Sequence, residues 1–158
     1  MSLRVGIGVD AHAFEDGVPL VLGGVRFKSP RGLAGHSDGD VITHALIDAV
    51  LGAAGLGDIG SLFPSDGTTP KGVASLDLLR DALERAREAG YAVVNADCVL
   101  VGQEPRIADR RAELERTLTD VLGAPVTVRA TTTDGLGFTG RREGLAAQAV
   151  ALVESAAP

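Results

Sequence analysis

The chain has no tryptophan, one tyrosine, one methionine and one cysteine among its 158 residues. The lone thiol, Cys98, excludes an internal disulfide and a cysteine-based metal cluster within one chain, and reads as a small buried hydrophobe. With only four phenylalanines beside the tyrosine, the core must be built from Ala, Val, Leu and Ile. Three of the four, Phe14, Phe63 and Phe138, lie beside polar motifs, where aromatic area can serve a pocket as well as a core. No apolar run approaches the ~18 residues that a membrane helix needs, and an aspartate at position 10 interrupts the N-terminus before a signal-peptide core could form. No basic run exists either, and the formal charge is −6, so the electrostatic footprint of a nucleic-acid binder is missing. These absences predict a soluble, cytoplasmic protein with no nucleic-acid or membrane partner.

The length fits a single domain, residues 1–158, able to bury a core without staples. Glycine is plentiful, 21 residues against a usual ~7%, and much of it lies next to the polar motifs. Leu3, Val5, Ile7 and Val9 alternate with Arg4, Gly6, Gly8 and Asp10, the period of a half-buried strand ending near Asp10. Val18 to Phe27 reads as two strands around a Gly23-Gly24 turn. Ser37 with Asp40 resembles a capping box ahead of a helix spaced by Val41, Ile42, Ala45, Leu46, Ala49, Val50 and Ala53. Gly52, Gly55, Gly57 and Gly60 then open a loop carrying Asp58, and residues 64–70 continue it without periodicity as a candidate flap. Ser75 is the expected cap of a helix ending at Gly90. Tyr91 to Val101 reads as a strand, Arg106 to Leu122 as a helix, Val126 to Thr131 as the last strand, and Glu143 to Ser155 as a closing helix. The order predicts an α+β (α/β-like) fold: a mixed sheet with helices on one face. So few aromatics leave the other face to be covered by neighbouring subunits.

All three histidines fall in the first 44 residues. Asp10 and His12, two apart on an extended segment, project from one face, and a third ligand from elsewhere completes a zinc-type donor set. His44 lies in the first turns of the helix, with Asp48 one turn on, placed to orient an imidazole as an outer carboxylate. Two histidines and one carboxylate leave a position open, as a catalytic zinc requires, and free His36 for another task.

Two pattern matches are set aside. Gly6-Ile7-Gly8-Val9-Asp10-Ala11 fits a dinucleotide fingerprint, but a Gly-Gly hairpin follows where a helix should open. Gly35-His36-Ser37-Asp38-Gly39 fits a nucleophile elbow, yet the only later histidine, His44, sits on the same helix. A second polar constellation, Ala130 to Arg141, combines three threonines with Asp134, three glycines, Phe138 and Arg141. It offers phosphate donors, a hard-cation ligand and exposed amides, for which phosphate plus Mg²⁺ is the natural partner.

The segments from Gly8 to Phe14, Gly35 to Val41 with His44 to Ala49, Leu51 to Gly60 with Phe63-Pro64, and Thr131 to Gly140 with Arg141, Glu143 and Gly144 closely resemble the 2-C-methyl-D-erythritol 2,4-cyclodiphosphate synthase family of the non-mevalonate isoprenoid pathway. The resemblance runs from about residue 4 to about residue 155, in order and with near-family spacing. It implies a homotrimer with active sites between subunits, zinc on Asp10, His12 and His44, and Mg²⁺ or Mn²⁺ on Asp134. It implies a phosphorus-oxygen lyase. In the substrate, a cytidine diphosphate ester of methylerythritol 2-phosphate, the 2-phosphate attacks the β-phosphorus and CMP leaves. By the same resemblance His36 and Thr132 act on the phosphates and Ser37 touches substrate, while Asp58, Ile59 and Gly60 hold the erythritol hydroxyls. Gly102 to Ala108 and Thr131, Thr132 and Thr133 of the neighbouring subunit receive the cytidine, with Arg106 near a phosphate. Phe138 and Arg141 complete the substrate contacts, and Arg141 with Glu143 lines the central channel where isoprenoid diphosphates are proposed to bind. Asp134 departs from the glutamate common in the family, and residues 65–69 carry fewer acids. A metal-dependent phosphohydrolase and a trimeric isoprenoid-diphosphate binding module are the competing readings; the Thr-Thr-Thr-Asp segment speaks against the first and the intact ligands against the second.

Overall fold

The computed structural model describes residues 1–155. Seven strands and five α-helices occur among them: β1 (Leu3–Asp16), β2 (Leu20–Leu22), β3 (Val25–Phe27), β4 (Arg31–Leu33), α1 (Val41–Ala54), α2 (Ile59–Leu62), α3 (Ser75–Glu88), β5 (Tyr91–Val101), α4 (Arg111–Leu122), β6 (Val126–Thr131), α5 (Gly137–Gly140) and β7 (Gly144–Ser155). Five strands form one sheet in the order β4-β1-β7-β5-β6, and β2 pairs with β3 alone. β7 runs antiparallel to both neighbours, with Gly8 opposite Ala149 on one side and Cys98 opposite Ala149 on the other. β5 and β6 are parallel. This is the mixed α+β sheet with helical cover on one face that the sequence order predicts.

The closing segment corrects one expectation: residues 144–155 are the central strand of the sheet, not a helix, and β6 is therefore the penultimate strand. Its alanines suggest a helix by intrinsic propensity, but Leu145, Ala147, Ala149, Ala151 and Val153 alternate inward beneath α1. Small side chains on a fully paired strand let a helix lie close, and that packing overrides propensity.

β1 corrects another. It continues to Asp16, so Asp10 and His12 sit in mid-strand rather than at its end. Its inward face is the glycine face: Gly6 and Gly8 are buried, while Leu3, Val5, Ile7 and Val9 are 59–69% exposed. A Cβ at Gly6 or Gly8 would overlap the backbone of Ala49 or Ala45 in α1. The helix thus rests directly on the strand backbone, and an apolar stripe that includes Val150 at 43% exposure is left open on the opposite face.

α1 is almost wholly buried, its Ile42, Leu46, Ile47, Val50 and Leu51 having no exposed area. Each such side chain contributes about 1.5–3 kcal/mol of burial. Its N-cap is Asp40, which accepts from the Thr43 N–H at 3.1 Å; Ser37 takes no part, because the chain enters the helix three residues later than a Ser37 cap would need. The same fully buried carboxylate accepts from the amides of Gly23 and Gly24 at 2.8 and 2.7 Å and from the Thr43 hydroxyl at 2.7 Å. One side chain thereby ties the β2–β3 turn to the helix start. α3 begins with Ala74 as N-cap and Ser75 as its first residue, and residues 108–110 form a separate 3₁₀ turn ahead of α4. Cys98 is buried as expected, and burial pushes its thiol up to about 12.

Candidate metal centre and substrate cleft

Strand β1 and helix α1 bring three donors to one point. His12 Nε2 lies 2.7 Å from Asp10 Oδ2, and His44 Nδ1 lies 3.1 Å from both. Asp10 and His12 share the inward face of β1, and His44 stands next to Ala45, whose carbonyl abuts Gly8. The bare backbone at Gly8 therefore sets the gap that the three side chains span.

Three lone-pair donors this close are stable without a cation only if protons are shared among them. Burial acts to raise the Asp10 carboxyl, but hydrogen bonds from His12 and His44 and their charge overcome it and bring the group down to about 2. Burial acts to lower His12, and the bond to Asp10 outweighs it, so the imidazole is raised above its ordinary 6.5. A tetrahedral metal with bonds near 2.0–2.1 Å places its ligand atoms roughly 3.3 Å apart, only slightly wider than the 2.7–3.1 Å seen here. The donor set fits a divalent metal with one side open.

That side faces a cleft of about 170 Å³ lined by Asp10, His12, His36, Ser37, His44, Ile59 and Gly60, with Phe63, Ser65, Thr69 and Leu78 closing it. Ile59 and Gly60 begin α2, whose N-cap Asp58 accepts from the Ser61 N–H at 2.8 Å; that bond holds the exposed carboxyl below its usual range. The expected role of Asp48 is not met: its Oδ1 accepts from the Ile59 N–H at 2.7 Å and so anchors α2 instead of an imidazole. His36 Nε2 is 2.7 Å from the Thr69 carbonyl, and the Gly72 amide donates to the His36 carbonyl at 2.7 Å, so the flap folds onto this histidine.

A second cleft, of about 220 Å³, is lined by Gly102, Arg106, Ala108, Ala130, Thr131 and Thr132, with Gln103, Pro105, Ile107 and Arg111. It shares no residue with the first. Thr132 Oγ1 donates to Asp134 Oδ1 at 3.1 Å, while Asp134 holds a left-handed φ of 52°. Thr133 is turned away, donating to the Leu136 carbonyl at 2.6 Å and lying 2.9 Å from Thr139 Oγ1. Phe138 is 43% exposed, and Arg141 Nε donates to Glu143 at 2.7 Å on the surface. The structure thus gathers Asp10, His12, His36, Ser37, His44, Ile59 and Gly60 at one cleft and Gly102, Arg106, Ala108, Thr131 and Thr132 at another.

Sequence reasoning missed Ser75 and Asp38. Ser75 Oγ lies 2.7 Å from His44 Nε2, and its hydroxyl donates to Asp38. The available signal was the serine itself at a helix start, which capping accounts for equally well.

Fold and donor set define a mixed-sheet α+β protein with an open two-histidine, one-carboxylate centre, the arrangement of a metal-dependent enzyme. The model of the YgbB family matches residues 3–154, and the chain belongs to that family. It is 51% identical over 150 residues to the 2-C-methyl-D-erythritol 2,4-cyclodiphosphate synthase of Acidothermus cellulolyticus, covering 95% of this chain and 93% of that one. It is 53% identical over 156 residues to the synthase of the same name from Syntrophobacter fumaroxidans, covering 97% and 98%. Among solved structures, the Plasmodium falciparum IspF complex with CDP superposes with a TM-score of 0.85 at 30% identity, covering 99% of this chain and 98% of that one. Among the described residues no helix is long and apolar enough to cross a membrane.

Proposed function

We propose that this chain converts 4-diphosphocytidyl-2-C-methyl-D-erythritol 2-phosphate to 2-C-methyl-D-erythritol 2,4-cyclodiphosphate with release of CMP. The observation that carries the reading is the convergence of Asp10, His12 and His44 on one cleft in a chain of this family.

The 2-phosphate oxygen attacks the β-phosphorus, the bond from that phosphorus to the bridging oxygen of the α-phosphate breaks, and CMP departs with the electron pair. Such a step needs little covalent help; it needs a flexible polyanion bent into line and its charge neutralised. Zinc on Asp10, His12 and His44 and Mg²⁺ or Mn²⁺ on Asp134, when bound, supply Lewis-acid polarisation of the diphosphate. His36 and Thr132 donate to the phosphates, with the His36 Nε2 contact to the Thr69 carbonyl exchanged for a phosphate oxygen. Ser37 points a hydroxyl into the same cleft, and Asp58, Ile59 and Gly60 hold the sugar hydroxyls. Gly102, Arg106, Ala108 and Thr131 to Thr133 receive the cytidine end. The two clefts share no lining residue, and the open face carries an apolar stripe. Both features favour a homotrimer in which one subunit's metal centre meets the next subunit's nucleotide cleft, with Phe138, Arg141 and Glu143 near the subunit contacts. The reading places the enzyme among cytoplasmic phosphorus-oxygen lyases.

Incubating the purified protein with the substrate, zinc and Mg²⁺ and following phosphorus NMR tests this directly. A cyclic diphosphate with CMP is expected; an uncyclised bisphosphate with CMP would replace the reading with hydrolysis, and no turnover would replace it with a binding role.

A further inference from the structure

His44 offers one ring nitrogen to the donor triangle and the other to a separate polar chain. Nε2 lies 2.7 Å from Ser75 Oγ and 2.9 Å from Ser37 Oγ. The Ser75 hydroxyl proton is already committed, because it is donated to the Asp38 carboxylate. Asp38 is held for this purpose from several sides: its Oδ2 accepts from the Ser75 amide at 3.0 Å, its Oδ1 from the Asp40 amide at 3.1 Å, and its own amide donates to the Val73 carbonyl at 3.2 Å. Ser75 has no exposed area.

The proton bookkeeping leaves one arrangement. A carboxylate can only accept, so Ser75 donates to Asp38, and the oxygen of Ser75 has only lone pairs left for His44. His44 must then carry a proton on Nε2, so the nitrogen it can offer a metal, once the proton shared with Asp10 is displaced, is Nδ1. We propose that Ser75, backed by Asp38, is the positioning residue that fixes the tautomer and ring orientation of His44 for metal binding. The role that sequence spacing gave to Asp48 falls instead to a serine 31 residues away in sequence. Ser37, whose oxygen shares the Nε2 proton less closely, keeps its own hydroxyl proton for a donor role in the cleft. The inference rests on the metal-centre reading of Asp10, His12 and His44, and its test separates the two.

Zinc affinity is measured by competition with a chromophoric chelator for wild type, Ser75→Ala, Ser75→Thr and Ser37→Ala, with thermal unfolding of each metal-free protein as a fold control. Wild type should bind one zinc. Ser75→Ala should lose 10- to 100-fold in affinity with a shifted Co²⁺ visible spectrum, Ser75→Thr should restore both, and Ser37→Ala should stay close to wild type. Failure of wild type to bind zinc would remove the metal-centre reading itself. Unchanged affinity in Ser75→Ala, or an equal loss in Ser37→Ala, would overturn the positioning role while leaving the metal centre intact. Should Ser75→Ala fail to fold, nitrogen-15 NMR of wild-type histidine rings decides: a proton on His44 Nε2 supports the relay, and an unprotonated Nε2 overturns it.

Discussion

Gly8 of β1 faces the carbonyl of Ala45 in α1 with no space for a Cβ between them. Because His44 precedes Ala45 and Asp10 follows Gly8 on the same strand face, this contact fixes the distance between the two elements that supply the donor triangle. Gly8→Ala should push the helix outward, cost about 3 kcal/mol through overpacking against backbone and lower Tm by roughly 10 °C for a chain of this size. Zinc affinity should fall with it. Calorimetry and chelator competition on the same sample check both; a variant with wild-type Tm would show that α1 gives way freely.

Removing one ligand has a different signature from removing the gap. His44→Ala should abolish zinc binding and turnover while far-UV circular dichroism and assembly stay as in wild type, since the imidazole adds little to the core. Activity retained in the metal-stripped variant would refute the assignment of the triangle.

The triangle also sets a pH dependence. Asp10 is brought from its ordinary 3.8 to about 2, so its contribution to stability is full above the ordinary value and fades as pH falls toward 2. His12 is raised above 6.5, so its contribution is full below 6.5 and is lost as pH rises through its folded value. The metal-free protein should therefore lose the His12 contribution as pH rises above 6.5 and through the raised folded value, while the Asp10 contribution stays constant there. Zinc must displace the shared proton, so the stabilisation it adds should grow over the same interval. Thermal scans with and without zinc at pH 6, 7 and 8 check the sign; a zinc-induced shift that shrinks with rising pH would contradict it.

Asp134→Ala should leave zinc stoichiometry untouched and remove most of the rate together with its dependence on added Mg²⁺ or Mn²⁺. Cation titration of turnover, read beside zinc content, distinguishes this from collapse of the centre. An unchanged titration would place the second cation elsewhere.

The exposed stripe of Leu3, Val5, Ile7 and Val9 gives a prediction about assembly. Ile7→Glu puts a charge on the open sheet face without touching α1, and sedimentation should show a monomer for the variant beside the proposed trimer for wild type. A trimeric Ile7→Glu protein would exclude this face from the contact.

Asp10 and His12 were legible because period two on a strand states which side chains share a face, and His44 because helical spacing placed it near a helix start. β7 was not legible: its alanines carry helix propensity, and only the close approach of α1 explains why small residues are needed in a strand. The inward face of β1 was hidden for the related reason that glycine leaves no apolar signal, so the outward Leu3, Val5, Ile7 and Val9 looked like the core face. Ser75 and Asp38 escaped because contacts between residues 31 to 37 apart leave no period to read. The Asp48 expectation failed on direction: one turn after His44 is near enough, but its carboxylate meets the Ile59 amide first.

Asp40 holds the amides of Gly23 and Gly24 as well as the first turn of α1. Those two amides therefore cannot exchange with solvent unless the helix start lets go. In deuterated water they should exchange with the slow population of α1 rather than with surface turns, so that a hairpin bearing no site residue reports, amide by amide, how often the element that carries His44 opens.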